Sequence, residues 1–145
     1  MRDGLWLLTI RKKHAFVPTM AQTEAGFYMG IEPVEVVDAF DKEALEGAMM
    51  RGIARGNPIV PTPTRATFPN DPLLRHAKVK SSSTFEKLAR TWKLSKREGA
   101  YLIGPYKPGR DGGSVEDLDR MEAIPVDIPL QTVVHRLVER ATQAQ

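Results

Sequence analysis

Cysteine is missing from all 145 residues of this chain. That absence removes disulfides, thiolate nucleophiles, iron–sulfur clusters and Cys-type zinc sites together, and leaves the redox compartment open. Long apolar runs are missing too. None approaches the roughly 18 to 20 residues that a membrane span requires, so no membrane association is expected. The apolar stretch Leu5 to Leu8 is too short for a signal-peptide core, and a cytoplasmic protein is expected. A large charge of one sign is also absent, since 21 Lys and Arg stand against 18 Asp and Glu. With 41% hydrophobic and 27% charged residues, the chain is too apolar and too mixed in sign to be disordered throughout. It has the size and balance of one domain over residues 1–145.

Catalytic and metal signatures are scarce. The run Gly104-Pro-Tyr-Lys-Pro-Gly-Arg-Asp-Gly-Gly113 has the glycines and a base of a phosphate loop, but no Gly-Lys-Ser/Thr follows. Its glycines read as turn formers in a Gly-rich surface loop over 104–113. His14, His76 and His135 are far apart and lack a second ligand at a metal spacing, so no metal and no cofactor are expected. His76, beside Arg75, is the best placed of the three for acid–base work.

What is present is a strong segregation of charge. Residues 1–70 balance, with eight basic and eight acidic side chains. Residues 71–110 carry ten basic against three acidic, a net +7, and residues 111–145 carry three basic against seven acidic, a net −4. Such a dipole in sequence can steer a charged partner, but in a protein this rich in charge the solvated faces of ordinary helices are the commoner source of such a pattern.

Periodicity gives the architecture. Leu5 to Arg11 is apolar on both faces and reads as a central strand. After a polar stretch, Gly26 to Ile31 and Val34 to Phe40 read as one or two further strands around Pro33. Asp41 precedes Leu45, Ala48, Met49, Gly52 and Ile53 at helical spacing, and Gly56 follows as a stop. Five prolines between Asn57 and Pro72 predict an extended loop over 57–72, with Ile59 and Val60 as a short edge strand. Ser83 with Glu86, then Phe85, Leu88, Ala89 and Trp92, predicts a second amphipathic helix from Thr84 to Leu94 with Trp92 as a core anchor. Ala100 to Ile103 reads as a strand, Ser114 to Glu122 as a short helix, and Leu130 to Ala141 as a C-terminal helix with one apolar stripe. The expected fold is α+β: a single domain with a small mixed or antiparallel sheet and three to four helices packed against it.

Two surfaces stand out as candidate sites. Lys78, Lys80, Lys87, Arg90, Lys93, Lys96 and Arg97, interleaved with aromatics, have the composition of a basic nucleic-acid-binding module, with Tyr106 free in its loop to stack. Glu116, Asp117, Asp119 and Glu122 form an acidic stretch that a basic protein surface would match.

An order of features in the middle of the chain resembles immunity proteins of contact-dependent growth inhibition (toxin–immunity) systems of Gram-negative bacteria. It is carried by Glu24-Ala-Gly-Phe-Tyr28, Glu32-Pro-Val-Glu-Val-Val37, Gly56-Asn-Pro-Ile-Val-Pro-Thr-Pro63, and Ala77-Lys-Val-Lys-Ser81 with Phe85. It spans roughly residues 16–105; Ser82 and Ser83 stand where an aromatic would complete the pattern. The resemblance implies a bacterial, cytoplasmic, non-enzymatic inhibitor that binds the toxic C-terminal domain of a cognate effector, commonly a nuclease. On that reading Glu116, Asp117, Asp119 and Glu122 are the expected toxin contacts, and reversal of Glu116, Asp117 and Asp119 to Lys is expected to slow association and leave the fold intact. Nucleic acid is a partner only on the alternative reading. An enzyme built around His76 or the 104–113 loop is the third.

Overall fold

In the computed structural model, which describes residues 2–143, the chain opens on two strands joined by a tight turn at Lys12 and Lys13. These are β1 (Gly4–Arg11) and β2 (His14–Thr23). They pair only where Thr9 to Arg11 meet His14 to Phe16, and then diverge. Asn57 fills the gap. Its Oδ1 accepts from the Leu5 N–H at 3.2 Å, and its Nδ2 donates to the carbonyls of Leu5 and Met20 at 2.9 and 2.8 Å. One side-chain amide thus replaces the ladder that β1 and β2 no longer form. Gly4 is required beside it, because a Cβ there would lie 2.1 Å from Asn57 Oδ1. Replacing Asn57 by Ala leaves these backbone groups without partners, and a loss of about 2 kcal/mol is expected in chemical denaturation.

Beyond the gap, β3 (Tyr28–Asp38) runs antiparallel to β2 as one strand, with an irregularity at Pro18/Thr19 that accommodates Pro18. Helix α1 (Lys42–Ala54) begins at Asp41, whose Oδ1 accepts from the Ala44 N–H at 3.1 Å, and ends before Gly56, at φ +71°. Ile59–Val60 forms β4, parallel to the end of β2, within the proline-rich segment. Two short helices follow, α2 (Pro72–Ala77) and α3 (Ser82–Glu86). Then come β5 (Ala89–Arg97), β6 (Ala100–Pro108) and β7 (Ser114–Glu116), a 3-10 turn (Leu118–Arg120), β8 (Glu122–Pro125) and α4 (Leu130–Gln143). The sheet order is β3-β2-β1-β5-β6-β7, with β8 pairing the first half of β6.

This is an α+β fold, antiparallel apart from β4, with α1 and α4 on one face. Leu45, Ala48, Met49 and Ile53 of α1 and Val133, Val134, Leu137, Val138 and Ala141 of α4 are buried, as their spacing predicts. They share one core with Trp6, Leu8, Ile10, Trp92, Leu94, Tyr101 and Ile103. On the opposite face α2 and α3 cover only the β2 end, where Leu73, Leu74 and Phe85 close over Phe16.

Four expectations are corrected. The helix predicted over Thr84–Leu94 is α3 followed by the central strand β5: Leu88, a member of the supposed stripe, is 55% exposed, and Gly4 through Arg11 pairs with Lys96 through Ala89 along its whole length. A ladder on both edges of β5 outweighs a helical spacing of four apolar residues. The loop expected over 104–113 is strand through Pro108, and only 109–113 turns. The helix expected over Ser114–Glu122 is β7 and the 3-10 turn. The stretch expected to be polar before Gly26 contains β2, with Ala15, Phe16, Val17, Met20 and Ala21 buried.

Candidate functional site

Side chains alternate across a strand, so the residues of β1, β5 and β6 that do not face α1 and α4 lie on the second face. Leu7 stands opposite Lys93 and Thr9 opposite Thr91 in the β1–β5 register. Because α2 and α3 stop short of this region, it forms an open groove of about 650 Å³, whose floor includes Leu7, Thr9, Thr91 and Tyr106. The two threonine hydroxyls share a hydrogen bond at 3.0 Å. Burial, with the Glu116 carboxylate as a second cause, raises the Tyr106 phenol above its ordinary value, so Tyr106 stays neutral.

One wall is the α3 segment with Phe85 and Lys87; the other is the β6–β7 hairpin with Lys107 and Pro108. The first wall is held by Arg11, buried below it, whose Nε donates to the Phe85 carbonyl at 3.4 Å and whose guanidinium lies 5.7 Å from the Phe85 ring centre. The second is held by Lys93, whose ammonium, with its side chain only 6% exposed, pairs with Glu116 of β7.

The acidic stretch is therefore two pairs of unlike residues. Glu116 neutralises Lys93, and Glu122 accepts from Arg136 at 3.1 Å and Arg140 at 3.4 Å on α4. Among the described residues, Asp117 and Asp119 have no ion-pair partner. They flank Leu118, which is 72% exposed at the 3-10 turn.

The seven basic residues do not come together. Lys78 ends α2 in the left-handed region at φ 60°, and Lys80 and Lys87 are exposed on the loops around α3. Lys93 is buried, and Lys96 pairs with Asp3 at 3.4 Å. Arg97 stands seven residues beyond Arg90, about 23 Å along the strand at about 3.3 Å per residue. Trp92 and Phe85 are buried, and Tyr106 lies half-buried in the groove floor rather than free in a loop. Nothing here favours the nucleic-acid reading.

The histidines serve three separate elements. His14 starts β2, and His135 pairs with Glu46, joining α4 to α1. His76 Nε2 lies 3.0 Å from Glu32 Oε2 and, with Arg75, clamps α2 to β3. Desolvation pushes the Glu32 carboxyl up, but the hydrogen bonds from His76 and Arg75 outweigh it and hold it below its ordinary value. No cluster of three metal-ligating side chains occurs among the described residues. The groove residues Thr9 and Thr91 carried no sequence signal, because only the pairing of strands far apart in the chain brings them to one place.

No protein-family model matches the chain, and no curated protein matches it. Solved structures do. A protein of unknown function from Neisseria meningitidis has the same fold, with a TM-score of 0.68, 12% identity, and coverage of 99% of this chain and 95% of that one. A chain of the CdiA-CT/CdiI toxin and immunity complex from Yersinia pseudotuberculosis superposes with a TM-score of 0.63 at 10% identity, covering 97% of each. At these identities the likeness is one of fold. The likeness covers 97% of the chain and so extends beyond residue 105, where the sequence resemblance stops.

Proposed function

We propose that this protein is an immunity protein that acts by binding, not by catalysis. Its partner is the toxic C-terminal domain of a cognate contact-dependent growth inhibition effector, a nuclease, which it neutralises in the bacterial cytoplasm. The observation that carries the reading is the end-to-end fold similarity to a chain of such a complex, covering 97% of both. It agrees with the resemblance carried by residues 16–105.

Asp117 and Asp119, unpaired at the rim of an exposed leucine, are the members of the acidic stretch that fit a basic toxin surface. Glu116 and Glu122 pair within the protein and hold the segment from β7 to β8 in place. Charged rim residues act mainly on the rate of encounter. The test is co-expression with the toxic C-terminal domain of the cognate effector: restored growth and a stoichiometric complex that survives high salt support the proposal, and unrelieved toxicity with no complex overturns it. In the same system Asp117→Lys with Asp119→Lys is expected to slow association about tenfold at low salt, measured by stopped flow, with an unchanged melting temperature.

A further inference from the structure

We infer that residues 71–87, which carry α2 and α3, form a flap that opens from the sheet as one unit while α1, α4 and the strands stay folded. The inference stands apart from the immunity reading. The backbone of the flap hydrogen-bonds to itself: the Val79 N–H donates to the Leu74 carbonyl at 3.1 Å, and the Phe85 N–H to the Ser81 carbonyl at 3.1 Å. Among the described residues, no backbone hydrogen bond joins it to the sheet. Its apolar anchorage is small and separate. Leu73, Leu74 and Phe85 close over Phe16 of β2, and this cluster does not merge with the core that α1 and α4 share with the sheet.

Packing between α2 and the first half of β3 is open as well. A cavity of about 570 Å³ lies there, lined by Ile31 and Glu32 on the strand and by Pro69, Leu74 and Val79 on the other side. A segment with few buried apolar contacts and no ladder bonds opens at a lower free energy than the core it adjoins. Two polar clasps hold it shut. Beside α2, Glu32 takes both Arg75 and His76, the latter at 3.0 Å, while its Oε1 accepts from the Val34 N–H at 3.1 Å. Beside α3, Arg11 Nε donates to the Phe85 carbonyl at 3.4 Å, with the guanidinium 5.7 Å from the ring centre. Opening breaks both clasps and uncovers Phe16 and Arg11, which are 2% and 9% exposed in the closed protein.

Native-state hydrogen exchange on the full chain tests this, comparing the amides of Lys78, Val79 and Phe85 with those of Leu137 and Val138 in α4. In the wild type the flap amides are expected to exchange about a hundredfold faster. They should share one urea dependence, weaker than that of α4 but not zero, because opening the flap exposes less surface than unfolding the chain. Val138→Ala removes core contacts that survive in the open-flap state. It is expected to speed α4 exchange about tenfold and to leave the flap amides as in the wild type. Glu32→Gln releases one clasp and should speed the flap amides about threefold. If the flap and α4 share one rate and one urea dependence, or if Val138→Ala speeds both alike, the flap is part of the core and the inference falls. Exchange of the flap amides that ignores urea would show fraying in place of a unit, and would overturn it too. Unchanged flap exchange in Glu32→Gln overturns the role of that clasp. Should Val138→Ala fail to fold, the urea dependence of the wild type decides alone.

Discussion

Replacing Glu116 by Ala is expected to destabilise the protein by about 3 kcal/mol, although the residue lies on a short outer strand and its side chain is 36% exposed. The reason is its partner. Lys93 sits in the central strand β5 with its side chain 6% exposed, and Glu116 is its carboxylate. Without it a buried ammonium is left unpaired, which costs more than the pair itself contributes. Glu116→Lys would be worse, because it sets a second cation against the first. The Lys93–Glu116 pair therefore changes the expectation for charge reversal: an intact fold is expected for Asp117 and Asp119, and a loss of stability for Glu116. Lys93→Met removes the buried charge along with the pair, and a change within about 1 kcal/mol is expected. Urea denaturation of the two variants separates the cases, and equal small losses would show that Lys93 reaches water in the folded protein.

Trp92→Ala is expected to lose about 3 to 5 kcal/mol, on the order of 10 °C in melting temperature for a domain of this size. Trp92 is 2% exposed and central to the core beneath α4. Its ring also carries two guanidiniums, Arg120 at 5.6 Å and Arg140 at 5.2 Å from the ring centre. Arg140 further donates to the Arg120 carbonyl at 2.7 Å and to Glu122, so the tryptophan anchors the 3-10 turn that presents Leu118, Asp117 and Asp119. Truncation should therefore loosen that turn as well as open a cavity. Faster amide exchange at 117–122 than elsewhere in the sheet would report it, and an unchanged melting temperature would refute the core assignment.

Trp92 also marks where local reading succeeds and fails. Its burial follows from its size and apolar neighbours, whereas its strand does not: Phe85, Leu88, Ala89 and Trp92 imitate a helical stripe, and only the pairing of β5 with β1 and β6 makes 89–97 extended. β2 was obscured in the same way, by Pro18 and Thr19 at an irregularity that makes sense only once β3 is beside it. The acidic stretch was legible as charge but not as roles, since Lys93 and Arg136 divide it from 23 and 14 residues away.

By itself, the sequence determined the elements whose signals are local: α1 between Asp41 and Gly56, the striped helix α4, the strand β1 with two apolar faces, the α+β class, and the absence of cysteine chemistry. Only the tertiary structure decided which charges are paired within the protein, and that Thr9 meets Thr91 across 82 residues to floor a groove on the second face. The physical reason is range. Caps and helical stripes act within a turn or two of chain, while strand pairing and charge neutralisation depend on residues that only the folded sheet brings together.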